Sequence, residues 1–212
     1  MPKELRALRR RPLKAFFAIA PNPNAKNQNI KEKYMTTMLY DLTVGSYTQV
    51  LEGAVGFLEK GLVHCETNGI DLVDIVDCVL YDDMQNFYFQ VMSLNHHSAK
   101  AIEGLHAGEF GPPMYAFNHK AEQGDYEMLL ATTKESIAVM KDQDPATVNA
   151  LAGKTIIFKL GTNEMPFTAE NFALSFSLPN FYFHVTTAYD ILRMKGVKLG
   201  KMDFLGKMRV GS

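Results

Sequence analysis

The chain has 212 residues, 47% of them hydrophobic and 21% charged, with 15 Gly and 9 Pro. That balance belongs to a globular domain and excludes fibrous and disordered classes; at this length one core buries roughly 70% of the surface the unfolded chain exposes. The longest apolar run near the start, Ala15 to Ala20, falls far short of the roughly 20 residues of a membrane span, and two cysteines, Cys65 and Cys78, cannot build a disulfide scaffold or a zinc ribbon.

The net charge of −1 is unevenly placed. Residues 1–33 carry nine Lys or Arg against Glu4 and Glu32, and the remaining 179 residues carry 13 basic against 21 acidic groups. A mildly acidic body excludes a nucleic-acid-binding domain, helix-turn-helix included, because such a domain concentrates positive charge on a folded face. Pro2, Pro12, Pro21 and Pro23, with the polar stretch 22–29, prevent a long helix in residues 1–34. Three readings of this basic extension stay open. It is a targeting segment, with Arg9 to Arg11 ahead of Leu13 to Ala20; a disordered basic tail; or residues upstream of a true start at Met35. The body is expected in the cytoplasm, or in the mitochondrion under the targeting reading.

From Met35 onward the pattern predicts a helical domain over 35–206 and a short tail at 207–212. Tyr47, Leu51, Ala54, Leu58 and Leu62 form a helical stripe, placing a first helix at about 37–65, ended by Asn68 and Gly69. Asp71 caps a short helical piece over 72–79. A second long helix is expected over about 82–106, with Met84, Phe87, Val91, Leu94, Ser98, Ala101 and Leu105 as its seam. Gly108, Gly111, Pro112 and Pro113 stop it, and the loop to about Ala121 is long enough to lie over a pocket. A third helix spans about 126–142, with Met128, Leu129, Ala131, Ile137 and Met140 as apolar contacts and Asp144-Pro145 as its end.

Thr155 to Leu160 is β-branched and apolar, and with the turn 161–164 and Met165 to Thr168 it reads as a small hairpin. Thr168 caps a fourth helix running to about Gly196, with a kink near 175–180 because Pro179 removes a backbone donor. Four long helices with mostly short connections imply an all-α four-helix bundle with a small β-hairpin before the last helix.

The stretch Leu178-Pro179-Asn180-Phe181-Tyr182-Phe183-His184-Val185-Thr186-Thr187-Ala188-Tyr189-Asp190-Ile191-Leu192, followed by Gly196-Val197-Lys198-Leu199-Gly200-Lys201-Met202-Asp203-Phe204-Leu205-Gly206, is dense in specific residues. It resembles the C-terminal signature of an uncharacterised bacterial and fungal domain of unknown function, placed in the DinB/YfiT-like superfamily of metalloenzymes. The resemblance runs from about Thr36 through Leu58-Glu59-Lys60, His64, Gly69-Ile70-Asp71, Asp83-Met84, Gln90-Val91 and Ala99-Lys100 to Gly206. It implies an up-down-down-up four-helix bundle, often a homodimer. In the wider superfamily three histidines hold a divalent metal, one from the second helix and two, four residues apart, from the fourth. Some relatives use the metal to activate a small thiol.

Carried onto this chain, His184 matches the second fourth-helix histidine, but Asn180 stands four residues before it and offers only a weak neutral oxygen. On the second helix, counting 100° per residue, His97 lies about 90° from the seam centre and His96 nearly opposite, on the solvent face. The metal candidates are therefore His184, His97 and Asn180, for a zinc or nickel ion. Against this stands a reading of His184 as a hydrogen-bonded core residue and His97 as a flanking one. His64 ends the first helix. Phe172, Phe176, Phe181, Tyr182 and Phe183 are expected as core and dimer contact, and Cys65 and Cys78 as small buried hydrophobes. Arg193, Lys195, Lys198 and Lys201 meet the negative end of the last helix, and the carboxylates Asp71, Asp74, Asp77, Asp82 and Asp83 sit near helix starts. Two functions compete: a degenerate metal-dependent enzyme activating water or a small thiol, and a metal-free dimer that holds a small ligand or serves a structural role.

Overall fold

The computed structural model describes residues 38–113, 115 and 119–210. The expectations for the extension 1–34 lie outside these residues. The architecture is mostly helical with one small sheet. A π-helical turn, Asp41–Gly45, leads into α1 (Ser46–Asn68), which ends where Gly69 takes up a left-handed conformation. The Asp71 carboxylate accepts from the Val73 N–H and starts α2 (Leu72–Val76).

The second long segment begins five residues later than the seam pattern predicts. Asn86 caps α3 (Phe87–Asn95), accepting from the Phe89 N–H, and Met84, expected in the seam, lies in the preceding turn. A π-helical turn, His96–Lys100, then joins α3 to α4 (Ala101–Ala107). Next come β1 (Glu109–Phe110), α5 (Asp125–Lys141) and α6 (Pro145–Asn149), the last capped by Asp144 through the Thr147 N–H. On α5, Tyr126, Leu129 and Leu130 are buried, whereas Met128 and Ala131, expected as contacts, are exposed.

The expected hairpin forms with a tighter turn, from β2 (Thr155–Leu160) and β3 (Asn163–Thr168), antiparallel, with Thr155 opposite Thr168 and Leu160 opposite Asn163, so that Asn163 and Glu164 belong to the strand. β1 adds to it in parallel, Phe110 opposite Phe158, giving the order β1-β2-β3. Thr168 caps α7 (Ala169–Phe172). Where a kink is expected, the helix continues through a third π-helical turn, Ala173–Ser177, into α8 (Leu178–Met194), and this turn immediately before Pro179 is the irregularity that accompanies the missing N–H. α9 (Lys201–Leu205) closes the chain against α1.

Four long helical segments carry the core. α1 packs on α5 and α8, and α3 packs on the same two helices. Between them lie Tyr47, Phe57, Phe87, Tyr126, Phe172 and Phe181, all essentially inaccessible to solvent. Tyr47 meets Phe181 edge-on at 5.1 Å and donates its hydroxyl to Ser177, which in turn donates to the His97 carbonyl. That relay links α1 to the two π-helical turns that hold Ser177 and His97.

Candidate functional site: a histidine cluster beside a cavity

The π-helical turn after α3 and the middle of α8 bring His97 and His184 together. Their rings lie 5.7 Å apart with planes inclined by 10°, and both residues are more than nine-tenths buried. His96 completes the cluster, 5.2 Å from His97. The solvent-facing position expected for His96 is wrong. Its Nε2 donates to the Gly111 carbonyl at 2.9 Å and its ring packs 4.6 Å from Phe110. The π-helical turn opening at His96 takes in more residues than an α-turn, so an angular count made on a straight helix misplaces both histidines.

Each ring is held in its neutral form by its surroundings. Burial pushes His97 down to about 3, helped by the neighbouring His96 and His184. Burial likewise pushes His184 down to about 4, with His96 adding to it. His96 is lowered too, chiefly by burial. His184 Nδ1 lies 2.8 Å from the Gln90 side-chain oxygen, which can only accept, so Nδ1 carries the proton and Nε2 keeps its lone pair. The Gln90 amide nitrogen is itself fixed by the Gln85 carbonyl. Replacing Gln90 by Leu strands the buried His184 N–H, and denaturant unfolding of Gln90→Leu is expected to show a loss of about 1–3 kcal/mol.

His97 differs from its neighbour: its Nδ1 is buried with no hydrogen-bond partner among the described residues. Asn180, the third metal candidate, donates its side-chain amide to the Phe176 carbonyl of the preceding turn. Among the described residues no three His, Cys, Asp or Glu side chains gather into a metal-holding group. His97 and His184 supply two imidazoles, and Asn180, already donating to Phe176, adds only a weak neutral oxygen to the three strong ligands a resident zinc ion ordinarily takes.

The expected loop does line a cavity. It measures about 800 Å³ and lies between α3–α4, α5 and the segment from Glu109 to Pro112, with Tyr115 also on its wall. Tyr115 is anchored by a 2.6 Å hydrogen bond to Ser93 and Phe110 by the sheet, so both ends of this wall are tied to the helical core. Of the three histidines only His96 lines it. The residues that sequence reasoning passed over are Gln90, Ser93, Tyr115, Glu135 and Ser136. Gln90 falls within the pairs that carry the family resemblance; the others have no signal in spacing or composition.

Other sequence expectations resolve as structure. Cys65 is buried and Cys78 half-buried, both as free thiols, and burial raises each above the usual thiol range. Phe172 and Phe181 are core, while Tyr182 and Phe183 are exposed on α8. Arg193 donates to the Leu199 carbonyl, and Asp77 accepts from Ala121 and Asn86, tying the start of α3 to the loop before α5. Among the described residues no helix is long and apolar enough to cross a membrane.

Similarity to known proteins agrees with this architecture. A crystal structure of a DinB family member from Shewanella denitrificans superposes with a TM-score of 0.64 at 25% identity, covering 82% of this chain and 95% of that one. No curated protein matches the chain. The model of a domain of unknown function, DUF1993, matches residues 39–205, nearly the whole of the described fold. The chain belongs to that family, an uncharacterised domain of DinB-like fold.

Proposed function

We propose that this protein is a DinB-like four-helix bundle that binds a small molecule in the cavity beside His96, with no resident metal. The observation that supports it is the cavity itself. Its volume of about 800 Å³ lies in the range of small-molecule sites, and an apolar wall carries a few fixed polar groups. On this reading His97 and His184 are neutral core groups, and exposed Tyr182 and Phe183 supply the contact of a homodimer.

The test is elemental analysis of the tag-free protein together with a thermal-shift screen of small molecules on wild type and Val139→Trp, which fills the cavity wall. Metal at background, with hits that vanish in the filled variant, is the expected result. A second reading, a divalent zinc or nickel ion held by His97 and His184, is favoured by the unpartnered Nδ1 of His97. About one metal per chain, lost in His184→Ala, would establish that reading in place of the first.

A further inference from the structure

Four neutral polar side chains at the cavity, Ser136, Thr132, Asn95 and His96, have one feature in common: their donors are engaged. Ser136 gives its hydroxyl proton to the Asn95 side-chain oxygen at 2.8 Å, and Thr132 gives its own to the Met128 carbonyl at 2.9 Å. The Asn95 amide uses its two N–H groups on the Val91 carbonyl and the Thr133 hydroxyl. His96 directs its ring proton to Gly111, which leaves Nδ1 a bare lone pair. What these side chains still offer is lone pairs on Ser136, Thr132 and His96.

The charges point the same way. Two lysines and three glutamates line the cavity. Lys100 is held by both oxygens of Glu103, at 3.0 and 2.8 Å, and Lys159 by Glu109. Glu135, on α5 one position before Ser136, has no ion-pair partner among the described residues. A solvated wall of this kind carries one uncompensated negative charge. An anion entering it would meet a net like charge, and beyond the neutral groups already donating elsewhere it would find only the N–H groups that Lys100 and Lys159 do not spend on Glu103 and Glu109. A cation with several N–H groups would meet open acceptors. Met92, Ala99, Phe110 and Val139 provide the apolar part of the wall.

We propose that the ligand of this cavity is a primary ammonium ion carried on an apolar body, with Glu135 as its counter-ion. This rests on the reading of the cavity as a small-molecule site. The ammonium donates three N–H bonds, matching the open acceptors, and the body covers the apolar wall.

Isothermal titration of the full chain at pH 7 with three compounds of matched size separates the possibilities: 2-phenylethylammonium, 2-phenylethanol and 3-phenylpropanoate. The ammonium is expected to bind tightest and the carboxylate weakest. Glu135→Gln, at an exposed helical position, is expected to weaken the ammonium about fivefold and leave the alcohol unchanged. Binding of the carboxylate as tight as the ammonium, or an ammonium affinity unaltered in Glu135→Gln, overturns the charge assignment and leaves the cavity reading standing. Failure of all three compounds to bind wild type overturns both.

Discussion

Between pH 6.5 and pH 4.5 the protein is expected to lose about 4 kcal/mol of unfolding free energy, and His97→Leu roughly half as much. The sign follows from where protons bind. In the unfolded chain an imidazole titrates near its ordinary value of about 6.5. In the folded chain burial holds His97 down to about 3 and His184 down to about 4. Below pH 6.5 the unfolded state therefore takes up protons that the folded state refuses, and stability falls as the pH falls towards those lowered values. The contribution is fully present above the ordinary value. Each such proton is worth about 1.4 kcal/mol per pH unit once the unfolded imidazole is fully protonated; at pH 6.5 it is only half protonated, so each histidine contributes about 2 kcal/mol over the two units. Set against a total stability of about 5–15 kcal/mol for a domain, that is a large share.

His97 is the better of the two to replace, because its Nδ1 has no partner to lose. Leu in its place keeps an apolar contact with Phe110 and Phe176 and removes a polar atom that burial disfavours. Its stability at pH 7 is expected to equal or exceed wild type. Urea unfolding at pH 7.0, 5.5 and 4.5 measures both effects. His96, also lowered, leaves some pH dependence in the variant. A slope identical to wild type in His97→Leu would show that this ring does not titrate as its burial requires.

Much of the fold was legible because its determinants are local. Asp71 and Thr168 mark helix starts through side-chain oxygens that accept from N–H groups two or three residues on, and both do so; Asp144, read as the end of the third helix, also caps the unpredicted α6 in the same way. Gly161 in the turn, flanked by β-branched residues, marked the hairpin. What was not legible depends on partners distant in sequence or on departures from a straight helix. Glu109 and Phe110 form a strand only because β2 lies beside them. The π-helical turns have no composition of their own, and the one opening at His96 shifted the faces assigned to two histidines. At the site, the family resemblance puts forward His184 and a helical angular count chooses His97, and the fold sets their rings 5.7 Å apart. Neither can show that the cavity offers acceptors, since that depends on which protons Ser136, Thr132 and His96 have already given away.

The C-terminal signature that carries the family resemblance is expected to be a clasp, and one pair of substitutions in α1 tests it. Gly206 has φ near +60°, and a Cβ there would stand 2.6 Å from the Gln49 carbonyl oxygen. A Cβ on Gly53 would stand 2.7 Å from the Phe204 carbonyl oxygen and 2.9 Å from that of Asp203. These are backbone atoms, so α9 cannot yield by rotating a side chain. The rest of the signature holds that close approach. Lys60 pairs with Asp203, whose other oxygen accepts from the Gly200 N–H at 2.7 Å. Gln49 donates to the Leu205 carbonyl, and Phe204 packs on Tyr189. Gly53→Ala is expected to cost about 1–3 kcal/mol by overpacking and, by loosening the backbone of α9, to speed trypsin cleavage at Lys201. Gly56, one turn on in the same helix, faces open space: a Cβ added there would have nothing within 4 Å. Gly56→Ala should therefore gain about 0.8 kcal/mol from helix propensity alone, with trypsin resistance unchanged. Opposite signs at two glycines three residues apart isolate the contact with α9 from any general effect on α1. If both variants gain stability, the segment from Gly200 to Gly206 rests on α1 without being held by it.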